Sequence, residues 1–133
     1  MNQKAFIIDD DQICHFITQH LIKSENLAQE VTCFYEAGEA LQLLAGALPN
    51  NMPDMIFLDL NMPRMNGWQF LDALRPYETQ ISSRSKIFIL TSSVDLADQE
   101  KARNYPYVSG YFYKPLQTAD IKAIGSLIHD ERQ

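Results

Sequence analysis

Asp9, Asp10, Asp59, Thr91 and Lys114 are the residues of this 133-residue chain whose types could together handle a phosphoryl group. Each closes a short apolar run: Phe6-Ile7-Ile8 leads into Asp9-Asp10-Asp11, and Met55-Ile56-Phe57-Leu58 into Asp59. Ile87-Phe88-Ile89-Leu90 leads into Thr91-Ser92-Ser93, and Tyr111-Phe112-Tyr113 into Lys114-Pro115. If those runs are parallel strands, their carboxyl ends meet at one crevice. Two carboxylates about 4 Å apart repel by roughly 4 kcal/mol at an effective dielectric of 20, so the cluster demands a cation. An all-oxygen set with few ligands suits Mg²⁺, which keeps several waters. No Cys or His pair stands at zinc-ligand spacing. With the charge offset, the Asp59 carboxylate can attack phosphorus and form an aspartyl phosphate. Mg²⁺, the Thr91 hydroxyl and the Lys114 ammonium then supply charge to the equatorial oxygens.

Taken singly, each residue has an ordinary explanation. An acidic run is commonly a solvated cap, a strand-end Asp a turn former, and Lys114-Pro115 a loop. Their shared placement at four strand ends carries the joint reading. Other residues fare worse as site candidates. His20 falls on the expected inward stripe of the first helix, as a core or boundary residue. His15 and His129 read as surface positions, and Trp68, Phe70, Leu71 and Leu74 as core. Tyr105, Tyr107, Tyr111 and Tyr113 could form a stacking surface for single-stranded nucleic acid, but basic residues do not accompany them.

Strands alternate with helices throughout, which predicts an α/β fold with a parallel sheet covered on both faces. Strand 1 is expected at 4–9, with Asp11 as N-cap of a helix carrying Ile13, Phe16, Ile17 and Leu21 at helical spacing. Strand 2 is expected at 30–35. The second helix carries Ala37, Ala40, Leu41, Leu44, Ala45 and Leu48 on one face. Pro49-Asn50-Asn51-Met52-Pro53 then connects to strand 3. Pro76 limits a third helix, and 77–85 reads as a polar connection. The fourth helix, 95–104, offers only Leu96, Ala97 and Ala102 for burial, so it is expected to be mobile or available to a partner. Strand 5 follows at 109–113. The last helix presents Ile121, Ile124, Gly125 and Ile128 inward.

The length fits a single domain spanning 1–133, with no output domain expected. A net charge of −6 argues against nucleic acid as a partner. No apolar run approaches the ~18–20 residues of a membrane span, and no signal peptide is recognised, so neither a membrane nor export is expected and the cytoplasm is the anticipated location. Cys14 and Cys33 are read as reduced thiols.

Ile7-Ile8-Asp9-Asp10-Asp11, Phe57-Leu58-Asp59-Leu60-Asn61-Met62-Pro63, Met65-Asn66-Gly67, Leu90-Thr91-Ser92-Ser93 and Gly110-Tyr111-Phe112-Tyr113-Lys114-Pro115-Leu116 resemble the receiver domain of two-component response regulators. The resemblance implies a flavodoxin-like, doubly wound, five-stranded parallel sheet of order 2-1-3-4-5 with five flanking helices. It makes Asp59 the phosphoacceptor, and Asp9, Asp10, Asp59 and Asn61 the Mg²⁺ site. Thr91 becomes the switch hydroxyl, Lys114 the phosphoryl-contacting ammonium and Tyr111 the aromatic whose rotamer follows phosphorylation. Asn61 and Ser93 match positions that tune hydrolysis, and Pro115 a proline that follows a cis peptide bond. The implied partners are a sensor histidine kinase or histidine phosphotransfer protein and an unidentified downstream protein. The implied output is a changed surface of the fourth helix, strand 5 and the fifth helix, and the protein is a signalling phosphoacceptor, catalytic only toward its own phosphorylation and dephosphorylation. The segment containing Asn104 to Tyr107 looks about a residue longer than in chemotaxis-type members.

Two other readings compete. A degenerate receiver would bind partners without phosphorylation. A phosphatase of the haloacid dehalogenase type would also use a strand-end Asp with Mg²⁺, but its second acid would fall where Asn61 stands.

Overall fold

The computed structural model describes residues 3–47 and 51–132. Strands β1 (Lys4–Ile8), β2 (Glu30–Phe34), β3 (Met55–Leu58), β4 (Lys86–Thr91) and β5 (Val108–Tyr113) are parallel and form one sheet in the order β2-β1-β3-β4-β5. Alternate side chains point to opposite faces. Ala5, Ile7, Met55, Phe57, Phe88 and Leu90 therefore share one layer, closed by Cys14 and Ile22 of α1 (Gln12–Ser24) and by Ile121, Ile124 and Ile128 of α6 (Thr118–Arg132). Phe6, Ile8, Ile56, Leu58, Ile87 and Ile89 fill the other layer. Over them lie Ala40 and Leu44 of α2 (Ala37–Ala47), Phe70 and Leu71 of α3 (Gly67–Leu74), and Ile81 of α4 (Glu78–Arg84). Continuously apolar strands such as β3 are what double coverage requires.

Ile8 pairs with Phe34 on one side and Leu58 on the other. That register brings the residues following β1 and β3 out side by side, where the strand order reverses.

Three expectations need correction. Residues 77–85 are mostly helical: Pro76 introduces a single 3₁₀ turn (Arg75–Tyr77), and α4 follows with Ile81 wholly buried. One apolar residue in a polar heptapeptide is too weak a periodic signal to announce a helix, yet it suffices to seat one turn on the core. In α2, Ala37, Ala40 and Leu44 are buried but Ala45 is exposed. Leu48, Pro49, Asn50 and the side chain of His129 lie outside the described residues.

The third correction concerns α1. Its buried residues are Cys14, His15, Thr18 and Ile22. Ile13 is 69% exposed, Phe16 is 73% exposed and His20 faces solvent. The helix carries two stripes about 100° apart, and the less apolar one turns inward. Hydrogen bonds from the His15 ring to the Asp9 and Phe34 carbonyls hold it in that rotation.

Helix α5 (Leu96–Ala102) buries little, as its few apolar residues imply: Asp95 caps it, and none of its residues is buried. It is held by contacts along its length: Gln99 donates to the Tyr113 hydroxyl, and Ala102 packs partly buried against the core. The Lys101 ammonium lies 4.9 Å above the Trp68 ring, and Trp68 stacks on Tyr105 with 5.6 Å between centroids. The Tyr105 hydroxyl donates to Asp72 at 2.7 Å, and the Tyr107 hydroxyl donates to the Leu71 carbonyl. Both tyrosines are buried, so they are anchors and not a stacking surface.

Gly67, the first residue of α3, leaves no room for a side chain. A Cβ there would stand 2.5 Å from the Asp59 carbonyl oxygen and 2.8 Å from the Leu60 Cα. Backbone cannot yield as a flexible side chain does. Gly67→Ala is expected to cost about 2–3 kcal/mol, read as a lowered urea midpoint with an unchanged slope.

Candidate functional site

The Asp59 N–H donates to the Ile8 carbonyl at 2.9 Å, and the Asp9 N–H to the Phe34 carbonyl at 3.0 Å. These bonds extend the ladder one residue past β1 and β3 and lock both aspartates to the sheet edge. Asp9 is 1% and Asp59 3% exposed, whereas Asp10 faces solvent. The three carboxyl groups can each present an oxygen within 4.8 Å of the others. Lys114 reaches in from the loop after β5. Its Nζ lies 2.7 Å from Asp9 Oδ2 and 3.3 Å from Asp59 Oδ1. The Lys114 N–H donates to the Thr91 carbonyl at 2.8 Å, which ties the lysine to the end of β4. The Lys114–Pro115 peptide is cis.

Burial, reinforced by the neighbouring charge of Asp9, pushes the Asp59 carboxyl up to about 6 despite Lys114 and the Asn61 N–H that bonds it. Burial pulls the Lys114 ammonium the other way, but Asp9 and Asp59 outweigh it and hold the lysine above its ordinary value. Three carboxylates set against one ammonium leave two negative charges, which is the deficit a divalent cation fills. The donors are all oxygen, as Mg²⁺ prefers. The residues present therefore fit Mg²⁺.

Thr91 is fully buried, and its Oγ1 accepts the Ser93 N–H at 3.0 Å, leaving its own hydrogen free to donate elsewhere. Ser93 Oγ in turn donates to Asp98 in the first turn of α5 at 2.7 Å. The Tyr111 ring is half-buried against Tyr113, 5.7 Å between centroids. Its hydroxyl is buried without a hydrogen-bond partner among the described residues, and burial drives its pKa up to about 12. A buried unpaired hydroxyl costs about 1–3 kcal/mol, so this rotamer is held at some expense. Asn61 stands exposed at the mouth.

The structure thus brings Asp9, Asp10, Asp59 and Lys114 into one cluster, with Thr91 and Asn61 bonded to it through backbone. Sequence reasoning missed one contributor to the site and one ion pair on the loops around it. His15 contacts the strand ends from beneath, and its only sequence signal is a polar side chain one turn behind a helix cap. Arg64, at φ +68°, pairs with Glu36 across the loops after β3 and β2. The exposed stripe of α1 also borders this site. Ile13 and Ile17 line a cavity of about 320 Å³ together with Cys14, Lys114, Pro115 and Leu116. Both cysteines are free thiols.

A family model described as response regulator receiver domain matches residues 5–125. The chain is 33% identical over 117 residues to the nitrate/nitrite response regulator protein NarL of Escherichia coli K12, covering 86% of this chain and 49% of that one. It is 26% identical to an uncharacterized response regulatory protein of Staphylococcus epidermidis, covering 91% of this chain and 44% of the relative. The chain therefore spans about half the length of these curated relatives. Among solved structures, a two-component response regulator from Cytophaga hutchinsonii superposes with a TM-score of 0.88 at 26% identity, covering 97% of this chain and 98% of that one. Vibrio cholerae chemotaxis protein CheY4 shares the fold, at TM-score 0.76 and 22% identity over 96% of this chain and 99% of the other.

Proposed function

The chain belongs to the response regulator receiver family, and from that membership we propose that Asp59 is its phosphoacceptor. The observation that carries this reading is the ion-paired cluster itself: a buried Asp59 with Lys114 at 3.3 Å and two further carboxylates beside it. A carboxylate at a site holding two excess negative charges persists where a cation is part of the working state. Receivers exchange phosphoryl groups with histidine kinases or phosphotransfer proteins, and no described helix is long and apolar enough to cross a membrane. We place this chain among the cytoplasmic members and assign it a signalling role.

In the proposed step an Asp59 carboxylate oxygen forms a bond to phosphorus as the P–N bond of a phosphohistidine breaks. The departing imidazole keeps the bonding electron pair. Mg²⁺ held by Asp9, Asp10, Asp59 and the Asn61 carbonyl would supply charge to the transferring oxygens. Lys114, already at hydrogen-bonding range, turns from the carboxylates to the new phosphoryl oxygens. The unspent Thr91 hydrogen is drawn to the same group. Ser93 leaves or follows it, and the Ser93–Asp98 bond carries that movement to α5. Tyr111, whose hydroxyl has no hydrogen-bond partner among the described residues, turns in response. The output is then a shift in population of the α5–β5–α6 face, recognised by a downstream protein.

The apolar stripe of α1 marks the approach of the phosphodonor. Ile13 and Phe16 are large and exposed, and Ile13 lines the cavity that opens beside Lys114. A donor helix covering them would present its histidine to Asp59. Incubation with Mg²⁺ and acetyl phosphate should add one phosphoryl group by intact mass, and none in chelator. A folded, Mg²⁺-bound protein that resists both acetyl phosphate and every histidine donor would instead match a phosphorylation-independent module. The double replacement Ile13→Ala, Phe16→Ala should slow transfer from a histidine donor by about tenfold or more, since apolar anchors carry most interface energy. Labelling by acetyl phosphate, which needs no docking, should stay within about twofold. Equal slowing with both donors would remove α1 from the docking face.

A further inference from the structure

His15 is 3% exposed near the start of α1. Its Nε2 lies 2.7 Å from the Asp9 carbonyl oxygen and 3.1 Å from the Phe34 carbonyl oxygen. Carbonyl oxygens only accept, so Nε2 carries the hydrogen and donates to both. Nδ1 is equally buried and has no partner among the described residues. Tyr35 covers the ring, with 4.4 Å between centroids. A phenyl ring would fill this space without orphaning a nitrogen. What the imidazole adds is one N–H aimed at two strand ends.

The Asp9 carbonyl belongs to the peptide unit joining Asp9 to Asp10. That unit is planar, so a donor that fixes its oxygen also fixes the direction of both flanking Cα atoms. On the other side of Asp9, its N–H donates to the same Phe34 carbonyl that His15 holds. Asp9 Oδ1 accepts the Asp11 N–H at 2.9 Å. Asp10 is exposed and takes its starting direction from the shared peptide.

The geometry points to His15 as a positioning residue for the metal site: its Nε2–H, shared between the Asp9 and Phe34 carbonyls, orients the Asp9–Asp10 peptide so that both carboxylates face the cation. This rests on the receiver reading and deepens it. His15 touches neither cation nor phosphoryl group and acts only through that backbone. Removing groups that orient metal ligands typically weakens metal affinity by about 10–100-fold.

The test is Mg²⁺ titration by calorimetry on the parent, His15→Phe and His15→Gln. Phe keeps the ring and loses the donor; the Gln amide nitrogen reaches where Nε2 stands. The Mg²⁺ Kd should rise about tenfold in His15→Phe and return to within about threefold of the parent in His15→Gln. Urea midpoints in chelator establish that the compared proteins are folded. On the parent alone, the His15 Nε2–H resonance should be protected from exchange and should shift on Mg²⁺ addition. An unchanged Kd in a folded His15→Phe overturns the inference, and so does equal impairment of the Phe and Gln variants. Should His15→Phe not fold, a parent Nε2–H signal indifferent to Mg²⁺ overturns it as well. A parent that binds no Mg²⁺ removes the receiver reading itself, and this inference with it, whereas intact parent binding with an indifferent His15 removes the inference alone.

Discussion

Asp59→Asn is expected to abolish phosphorylation completely and, in the absence of metal, to make the protein more stable. The two effects have one origin. Asp59 is buried beside Asp9, and its carboxyl is raised from 3.8 to about 6. A group whose folded pKa exceeds its unfolded value binds its proton more readily in the native state. Stability therefore falls as pH rises from about 4 to about 6 and stays lower above that window. The full shift corresponds to about 3 kcal/mol, and solvent relaxation around the cluster reduces this to about 1–2 kcal/mol. The amide carries no charge, so Asp59→Asn escapes the fall. In chelator at pH 7.5 it should unfold at higher urea than the parent, with the gap closing at pH 4.5. Mg²⁺ should reverse the ranking, because it stabilises only the protein that binds it tightly. Phosphoryl label on the Asn protein would sink the acceptor assignment. A variant less stable than the parent in chelator at pH 7.5 would sink the electrostatic account.

Lys114→Met should act in the opposite sense on stability. Lys114 is the ammonium 2.7 Å from Asp9 and 3.3 Å from Asp59, and its side chain is only 17% exposed. Methionine keeps most of the volume and leaves the two carboxylates facing each other unneutralised. Breaking a buried pair in this way costs about 3–5 kcal/mol, and partial exposure puts this case at the low end. The loss should be larger at pH 7.5 than at pH 5, where Asp59 takes up a proton and relieves the repulsion. The ammonium's own contribution is fully present at every pH below its ordinary unfolded-state value and is lost only as pH climbs toward the raised folded one, so it does not create that difference. Labelling by acetyl phosphate with saturating Mg²⁺ should slow by about 100-fold or more, as when one charge-stabilising donor is removed from a transition state. Identical losses of stability at both pH values would mean that packing, and not charge, is what Lys114 supplies.

The parallel sheet was legible because strands buried on both faces must be continuously apolar, and Met55-Ile56-Phe57-Leu58 could hardly be anything else; its strand order followed only from the family resemblance. The cluster was legible for a related reason: polar residues closing such strands emerge at one edge, so Asp9, Asp59 and Lys114 needed no tertiary information to be grouped. The rotation of α1 was not legible. Periodicity reports that a helix has an apolar stripe, not which way the stripe points, and Ile13 with Phe16 outscored Cys14 with Thr18 on hydrophobicity alone. What decided the matter was polar: two strand-end carbonyls within reach of the His15 ring. The same blindness hid α4, whose only purchase on the core is Ile81.

Helix α5 shows what a helix with little purchase on the core permits. Its residues contribute no fully buried side chain, and its position is set by Ser93 and Asp98 at one end, by Gln99 on the Tyr113 hydroxyl midway, and by Lys101, Trp68 and Tyr105 at the other. Substitutions on its exposed face cost within about 0.5 kcal/mol, as surface changes generally do. The outward text of α5 can therefore be rewritten for a new listener while the sheet, the acidic cluster and the contacts that hold the helix stay as they are. Lineages inheriting this scaffold can diverge in whom they address without renegotiating how they fold.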